Sequence, residues 1–363
     1  MAEPLRMRIS GRLYSGVVKP IYFKFDPEDV HNRLVSVGKV LGSNPITRGL
    51  TSMAFEYNNP ALEQRIFGLH FRNPVGLSAG FDKNGDSARI MRSVGFGFTE
   101  IGSITAKPCA GNPGVRLKRL KEKRSILVHM GLNNRGAGLL HEQLMDRKPD
   151  IPTIISAAKT NCKETTNPDV GLEDYLFTVR TFRDIADVFE LNISCPNAFG
   201  GQDFADPRLF ERLAKGVNGL RLRQPVIVKL SPDLTKRNVD RIIEISARHG
   251  ISGFVCTNLT KRHDEGEGGL SGKAVEGRAN DLLSHVYKRN LEYRKRFVLI
   301  GVGGIFSAED AYGKIKLGAN LVELITGMIY QGPQLIGEIN YGLAELLERD
   351  GYSNIGEAVG TAR

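Results

Sequence analysis

Asn192, Cys195 and Asn197 have types and spacing that can do chemistry, and they lie within residues 187–201, DVFELNISCPNAFGG. A carboxamide carries a donor and an acceptor together, so two of them can read a planar ring bearing N–H and C=O groups. The thiol between them has a reference pKa of about 8.5, which a protein can tune toward a base near neutrality. Pro196 biases Cys195 toward an extended backbone. An isolated Ser-Cys-Pro reads more simply as a strand end with a small buried cysteine. The surrounding chain decides between the two readings.

Such chemistry needs a scaffold. Eight apolar runs, at residues 74–80, 98–104, 152–157, 188–194, 225–231, 253–258, 297–303 and 319–326, have the character of buried strands. Helix-compatible stretches such as 206–220, 236–249 and 308–317 separate them. Eight strand–helix alternations over about 260 residues are what a (β/α)8 barrel, an α/β fold, requires. A doubly wound sheet usually has fewer strands, so the barrel is preferred.

In a barrel the chemistry gathers where strands end. Ala79, Gly80 and Lys83 follow the first run, Ser103 closes the second, and Asn192 to Asn197 close the fourth. Lys229 closes the fifth run and Thr257-Asn258 the sixth. GVGG at 301–304 and Thr326-Gly327 end the last two, where this fold usually cradles a phosphate with glycine N–H groups. An unpaired Lys229 ammonium in a barrel mouth would be costly. A cofactor that becomes anionic on reduction would pair with it, and this reading is preferred to an ion pair with structural carboxylates. Lys83 admits the same two readings, with a ligand carboxylate as the functional partner.

The bulk composition narrows the class. Of 363 residues, 41% are hydrophobic and 25% charged, which suits a water-soluble globular protein with a large core. No apolar run approaches the roughly 20 residues that span a bilayer. The start, MAEPLRMRIS, lacks the apolar core of a signal peptide, so a cytosolic location is expected. Four cysteines without CxxC spacing and scattered histidines point to free thiols and no metal centre.

The net charge of +10 suggests an anionic partner such as nucleic acid, a membrane surface or a phosphorylated ligand. Residues 1–50 hold eight Lys/Arg against four Asp/Glu, and 116–124 (RLKRLKEKR) hold six positive charges against one negative. Asp26-Pro27 opens a helix as N-cap and first helical residue, and the helix should end near residues 42–45. Val30, Leu34, Val37 and Leu41 form its apolar stripe. Such a helix with basic and aromatic neighbours can lie at a membrane surface. Residues alone favour the plainer alternative, docking on the next domain.

Several motifs then resemble one family. AGFDKNG, GFGFTEIGSIT, GNPGVRLKRL, MGLNNRG, LNISCPN, VKLSPDLT, GGLSGK and GVGGI follow the order seen in dihydroorotate dehydrogenases, FMN enzymes of pyrimidine synthesis. The similarity runs from about Tyr14 to the C-terminal GYSNIGEAVG. FDPEDVH resembles the membrane-associated, quinone-using class 2, which carries an extra pair of helices before the barrel. The resemblance implies residues 1–50 as a helical membrane and quinone-access segment and 51–363 as the FMN-binding barrel. It places the protein peripherally on the cytoplasmic side of the cell membrane.

The same resemblance implies that FMN touches Ala79, Gly80, Ser103, Asn192, Lys229, Thr257, Gly272, Gly304 and Thr326. Dihydroorotate or orotate would meet Lys83, the Met130-Gly131-Leu132 backbone, Asn192, Asn197 and Asn258. Cys195 matches the catalytic base, and His31 and Arg119 match positions near the quinone tunnel. Class 2 members typically have Ser at the base, so Cys195 looks like the soluble class 1. Val128 and Leu259 stand where a substrate-side Asn and Thr are usual. Ala157 and Ile325 stand where a flavin-side Asn and Tyr are common.

The expected reaction is oxidation of dihydroorotate to orotate, with electrons passed through FMN to a quinone. The rival readings are a soluble enzyme using fumarate or NAD, a tRNA-dihydrouridine synthase, and a flavin- or membrane-binding protein without activity. Only about 35 residues follow the eighth run, too few for the RNA-binding domain of the synthase, so no nucleic-acid partner is expected.

Overall fold

The computed structural model describes residues 5–201, 203–294 and 296–362. A hairpin of β1 (Gln64–Ile66) and β2 (Leu69–Phe71) precedes β3 (Val75–Leu77) and β4 (Phe98–Ile104). Two short strands, β5 (Leu117–Leu120) and β6 (Ser125–Val128), come next, then β7 (Thr153–Ala157), β8 (Val188–Asn192) and β9 (Val226–Leu230). The last four are β10 (Gly253–Cys256), β11 (Gly269–Gly272), β12 (Val298–Val302) and β13 (Leu321–Leu324). Strands β3, β4, β7, β8, β9, β10, β12 and β13 close into one parallel barrel. They are the eight apolar runs of the sequence, and the (β/α)8 expectation holds.

Side chains alternate along a strand, so every second residue points into the barrel. The lowest layer is apolar: Phe98, Val188, Ile227 and Leu321 meet there, and the β1–β2 hairpin adds Ile66 and Phe71 as a plug. Phe98 fills the space left by Gly76, where a Cβ would come within 2.2 Å of its ring. Two residues further along the same strands stand Glu100, Glu190, Lys229 and Glu323, all within 3% exposure. The next step up reaches the mouth.

Over that mouth lies a second, antiparallel sheet of β5, β6 and β11. The basic run 116–124 supplies β5 and its turn; Lys118 and residues 121–124 form a solvated face, whereas Arg116 and Arg119 are partly buried. The N-terminal region adds helices α1 (Leu5–Leu13), α2 (Lys19–Tyr22), α3 (Pro27–Ser43) and α4 (Pro45–Phe55), with one wider helical turn between the first two. Asp26 caps α3 by accepting from Glu28 N at 2.8 Å and Asp29 N at 3.1 Å. Asn44 breaks the chain and caps α4 through Ile46 N at 2.8 Å. Helix α4 runs through residue 50 to Phe55. Glu28 ties α3 to β5 by an ion pair with Arg116.

The expected stripe on α3 is only partly covered. Val30 is buried, whereas Val37 is 51% and Val40 67% exposed, and on α4 Ile46, Leu50 and Met53 exceed 60%. Before them Leu5, Ile9, Leu13, Val17, Ile21 and Phe25 recur at every fourth position, each about half exposed. Among the described residues, no helix is long and apolar enough to cross a membrane.

Candidate active site

The ends of the barrel strands, the covering sheet and α3 enclose one cavity of about 230 Å³. Asn192 at the tip of β8 anchors its floor. Its amide donates to Ser103 Oγ at 2.7 Å, and its Oδ1 accepts from Ser194 N at 3.2 Å and from Asn258 Nδ2 at 3.3 Å. Tyr175 OH fixes the Asn192 carbonyl at 2.7 Å. Asn258 Nδ2 also reaches Ser194 Oγ at 3.0 Å. Asn197 donates to the Val128 carbonyl at 2.9 Å and is held by Asn112 on its own carbonyl at 3.0 Å. Its Oδ1 is buried with no protein partner among the described residues, an acceptor left for a ligand donor.

Below this floor lies a cluster of charges inside apolar strands. Lys229 Nζ stands 3.0 Å from Glu100, 3.2 Å from Glu190 and 3.9 Å from Glu323, and donates to Ser78 Oγ at 3.2 Å. The expectation that a cofactor, and not structural carboxylates, neutralises Lys229 is thereby corrected. Strand alternation brings three glutamates to its level, and a buried ammonium takes the nearest counter-charge. Burial lowers the Lys229 pKa, but the three carboxylates outweigh it and hold the ammonium protonated. Burial also raises Glu100, yet Lys229 prevails and keeps it ionised. Glu190 and Glu323 are pushed up by burial and by the Glu100 charge, so both are held as neutral acids. A chain of hydroxyls joins this layer to the floor: Ser103 Oγ meets Ser156 Oγ at 2.8 Å, and Ser156 donates to Glu190 at 2.7 Å.

Cys195 borders the cavity beside Pro196 and Asn197. Burial pushes its thiol up to about 11, with only partial relief from the Asn197 backbone N–H and from Lys261 and Lys159. The sequence reading of a thiol poised near neutrality is corrected: burial outweighs the pull of Lys261 and Lys159 toward the thiolate. Lys83 is lowered by burial to about 8, and among the described residues its ammonium has no hydrogen bond or ion pair. His31 on α3 meets the Phe81 ring edge-on at 5.1 Å, and burial, then Lys83, lower it to about 3, so it is neutral. Arg119 on β5 donates to the Phe25 carbonyl at 2.9 Å and stacks on Phe23 at 4.7 Å.

The N–H groups of Gly303 and Gly304 find no backbone acceptor among the described residues. Gly304 has φ +80°, and a Cβ there would lie 2.4 Å from Glu276 Cβ, so only glycine presents this amide to the cavity. Gly272, on β11, has φ +86°, and a Cβ would meet the Arg124 carbonyl at 2.5 Å. Bare amides beside a serine, a threonine and a buried ammonium suit a ligand with a phosphate at one end and a polar ring at the other.

The family model for dihydroorotate dehydrogenase matches residues 61–347. The chain belongs to the dihydroorotate dehydrogenase family. A dihydroorotate dehydrogenase (quinone) from Sulfurovum sp. is 40% identical, with 94% of this chain and 97% of the relative covered. One from Gloeobacter violaceus is 36% identical, covering 95% and 98%. The crystal structure of the Eimeria tenella enzyme in complex with ferulenol superposes with a TM-score of 0.83 at 28% identity, over 93% of this chain and 95% of that one.

Against this family, the expected site residues can be located. Ala79, Gly80, Ser103, Thr257, Gly272, Gly304 and Thr326 all border the cavity, with Asn192 and Lys229 at its floor. Lys83, Met130, Gly131, Leu132, Asn197, Asn258 and Cys195 border the same space. So do His31 and Arg119, toward α3. Val128, Leu259 and Ile325 also line it, whereas Ala157 lies fully buried in β7 away from it. Sequence reasoning missed Glu100, Glu190, Glu323 and Ser156. The available signal was one glutamate alone in each of three otherwise apolar strands.

Proposed function

We propose that the protein oxidises dihydroorotate to orotate in pyrimidine synthesis, uses FMN, and delivers the electrons to a quinone at a membrane surface. One observation carries this reading. A single cavity is lined both by Lys83, three asparagines and a cysteine and by His31 and Arg119 beneath the N-terminal helices. The names of the relatives, dihydroorotate dehydrogenase (quinone), support the substrate and the acceptor.

FMN would be held by the Gly303-Gly304 amides and Thr326 at its phosphate, by Gly272 and Gly80 along its length, and by Ser103, Asn192, Thr257 and Lys229 at its ring. When bound, it would supply the acceptor for a hydride, which carries the two electrons of the oxidation. The remaining work belongs to the chain. Lys83, without a hydrogen bond or ion pair among the described residues, takes the substrate carboxylate. Asn192, Asn197 and Asn258 hold the pyrimidine ring through paired donors and acceptors, and Asn197 Oδ1 gains the partner it lacks. Holding the reacting atoms in place contributes several kcal/mol through orientation. Cys195, as thiolate, removes the proton from C5, while the C6 hydrogen leaves with its electron pair and the C5–C6 double bond forms. Lys229, charged whatever the state of the ring above it, stabilises negative charge there.

On the helix and strand that carry His31 and Arg119, the other lining residues are apolar: Pro27, Val30, Leu34 and Leu117. A neutral imidazole and a guanidinium can hydrogen-bond the oxygens of a quinone, and Leu34 and Ile329, which line the same cavity, would offer its ring apolar contacts. The exposed apolar residues of α1 to α4 support docking of this region on the cytoplasmic face of the cell membrane. Purified protein supplied with dihydroorotate and either a ubiquinone or menaquinone analogue, fumarate or NAD tests the reading. Orotate formation with a quinone alone is expected. Turnover with fumarate or NAD and none with quinones would move the protein to the soluble class.

A further inference from the structure

We infer that a basic pocket beside the N-terminal helices holds the phosphate of an anionic membrane lipid. The pocket, about 180 Å³, is separate from the active-site cavity and is formed by Lys19, Phe23, Lys121, Arg124, Tyr330 and Gln331. Its walls are aromatic and its rim is cationic. Lys19 Nζ lies 5.5 Å from the Phe23 ring and 5.6 Å from Tyr330, and Lys121 Nζ lies 5.9 Å from Phe23. The Arg124 guanidinium stacks on Phe306 at 4.3 Å. Tyr330 is itself fixed by its hydroxyl bond to the Ser125 carbonyl at 2.8 Å.

The charges around this pocket divide into two sets. Arg116 pairs with Glu28, Lys123 with Glu265, and Lys273 with Glu276 and Asp310. Lys19, Lys121 and Arg124 have no carboxylate partner among the described residues, and the one acid of their run, Glu122, is exposed. Three unpaired cations converging on a recess are a site for an anion with several oxygens. The source of that anion follows from the neighbours. Lys19 opens α2, and along the helical segment through it Leu13, Val17 and Ile21 are 56%, 50% and 49% exposed. A free phosphate has no use for that stripe, whereas a phospholipid places acyl chains on one and its headgroup on the other.

This site rests on the reading that the N-terminal helices face a membrane, and the test separates the two. FMN-loaded, full-length protein is sedimented with vesicles of phosphatidylcholine, with or without phosphatidylglycerol. Binding to both is expected, tighter with phosphatidylglycerol. The double variant Lys19→Gln, Lys121→Gln should bind the phosphatidylglycerol vesicles roughly 30-fold more weakly, at about 1 kcal/mol for each lysine near an anionic surface. Its binding to phosphatidylcholine and its dihydroorotate oxidation with a water-soluble acceptor should be unchanged. A control, Lys24→Gln with Lys118→Gln, removes equal charge outside the pocket and should cost much less. An equal loss in the control would overturn the site in favour of diffuse attraction and leave membrane docking intact. Lysine-dependent binding of glycerol 3-phosphate as tight as that of vesicles would overturn the lipid as occupant. Binding to neither vesicle would overturn the docking reading and the site together.

Discussion

The thiol of Cys195 sets a pH dependence that can be worked out from its surroundings. Burial raises it to about 11. At pH 7 about one molecule in ten thousand then carries the thiolate that acts as base, and the fraction grows tenfold per pH unit. The rate of flavin reduction by saturating dihydroorotate should therefore rise by about 100-fold from pH 7 to pH 9, with no plateau below about pH 10. Stopped-flow absorbance under anaerobic conditions measures this step alone. Cys195→Ala should reduce it by about 10²–10⁴-fold and flatten its pH profile. A plateau reached near pH 7, or an unchanged profile in Cys195→Ala, would refute the assignment of Cys195 as base.

Three other perturbations probe neighbouring parts of the site. Lys83 loses its proton near pH 8, so the KM for dihydroorotate should climb above that pH while kcat still rises, and Lys83→Met should raise KM about 10- to 100-fold at pH 7. Lys229→Met strands the ionised, buried Glu100 and should destabilise the fold by about 3–5 kcal/mol at pH 7, read by denaturant unfolding. Glu100 is held below its unfolded pKa of about 4.3 with Lys229 as partner, so the pair's contribution is full above that pH and is lost as pH falls through the lower native value, where the cost of the substitution should shrink. Arg119→Ala removes the Phe25 and Phe23 contacts near the acceptor end and should slow quinone reduction while leaving flavin reduction by dihydroorotate unchanged.

The barrel was legible because its strands are buried on both faces and read as continuous apolar runs. All eight runs, from 74–80 to 319–326, contain the strands of the closed barrel. The mouth was legible for a related reason. Glycine, asparagine and lysine interrupt the ends of such apolar runs, and every site residue expected from the sequence borders one cavity. The layer beneath was not legible. Glu100, Glu190 and Glu323 each stand alone in an apolar strand, and only closure of the barrel shows that they surround Lys229. The covering sheet escaped because β5 reads as LKRL, whose charges mask a strand that uses Leu117 and Arg119 toward the cavity. The tuning of Cys195 escaped too, since both the burial that raises it and the charges of Lys159 and Lys261 that oppose it depend on the fold.

The central claim is that the cavity binds flavin and dihydroorotate together so that one reduces the other. Anaerobic mixing of the FMN-loaded protein with L-dihydroorotate, followed through the visible absorbance of the oxidised flavin, tests it directly. The account predicts rapid bleaching with one orotate formed per flavin. A yellow protein that keeps its colour at saturating dihydroorotate, up to pH 9, would contradict it.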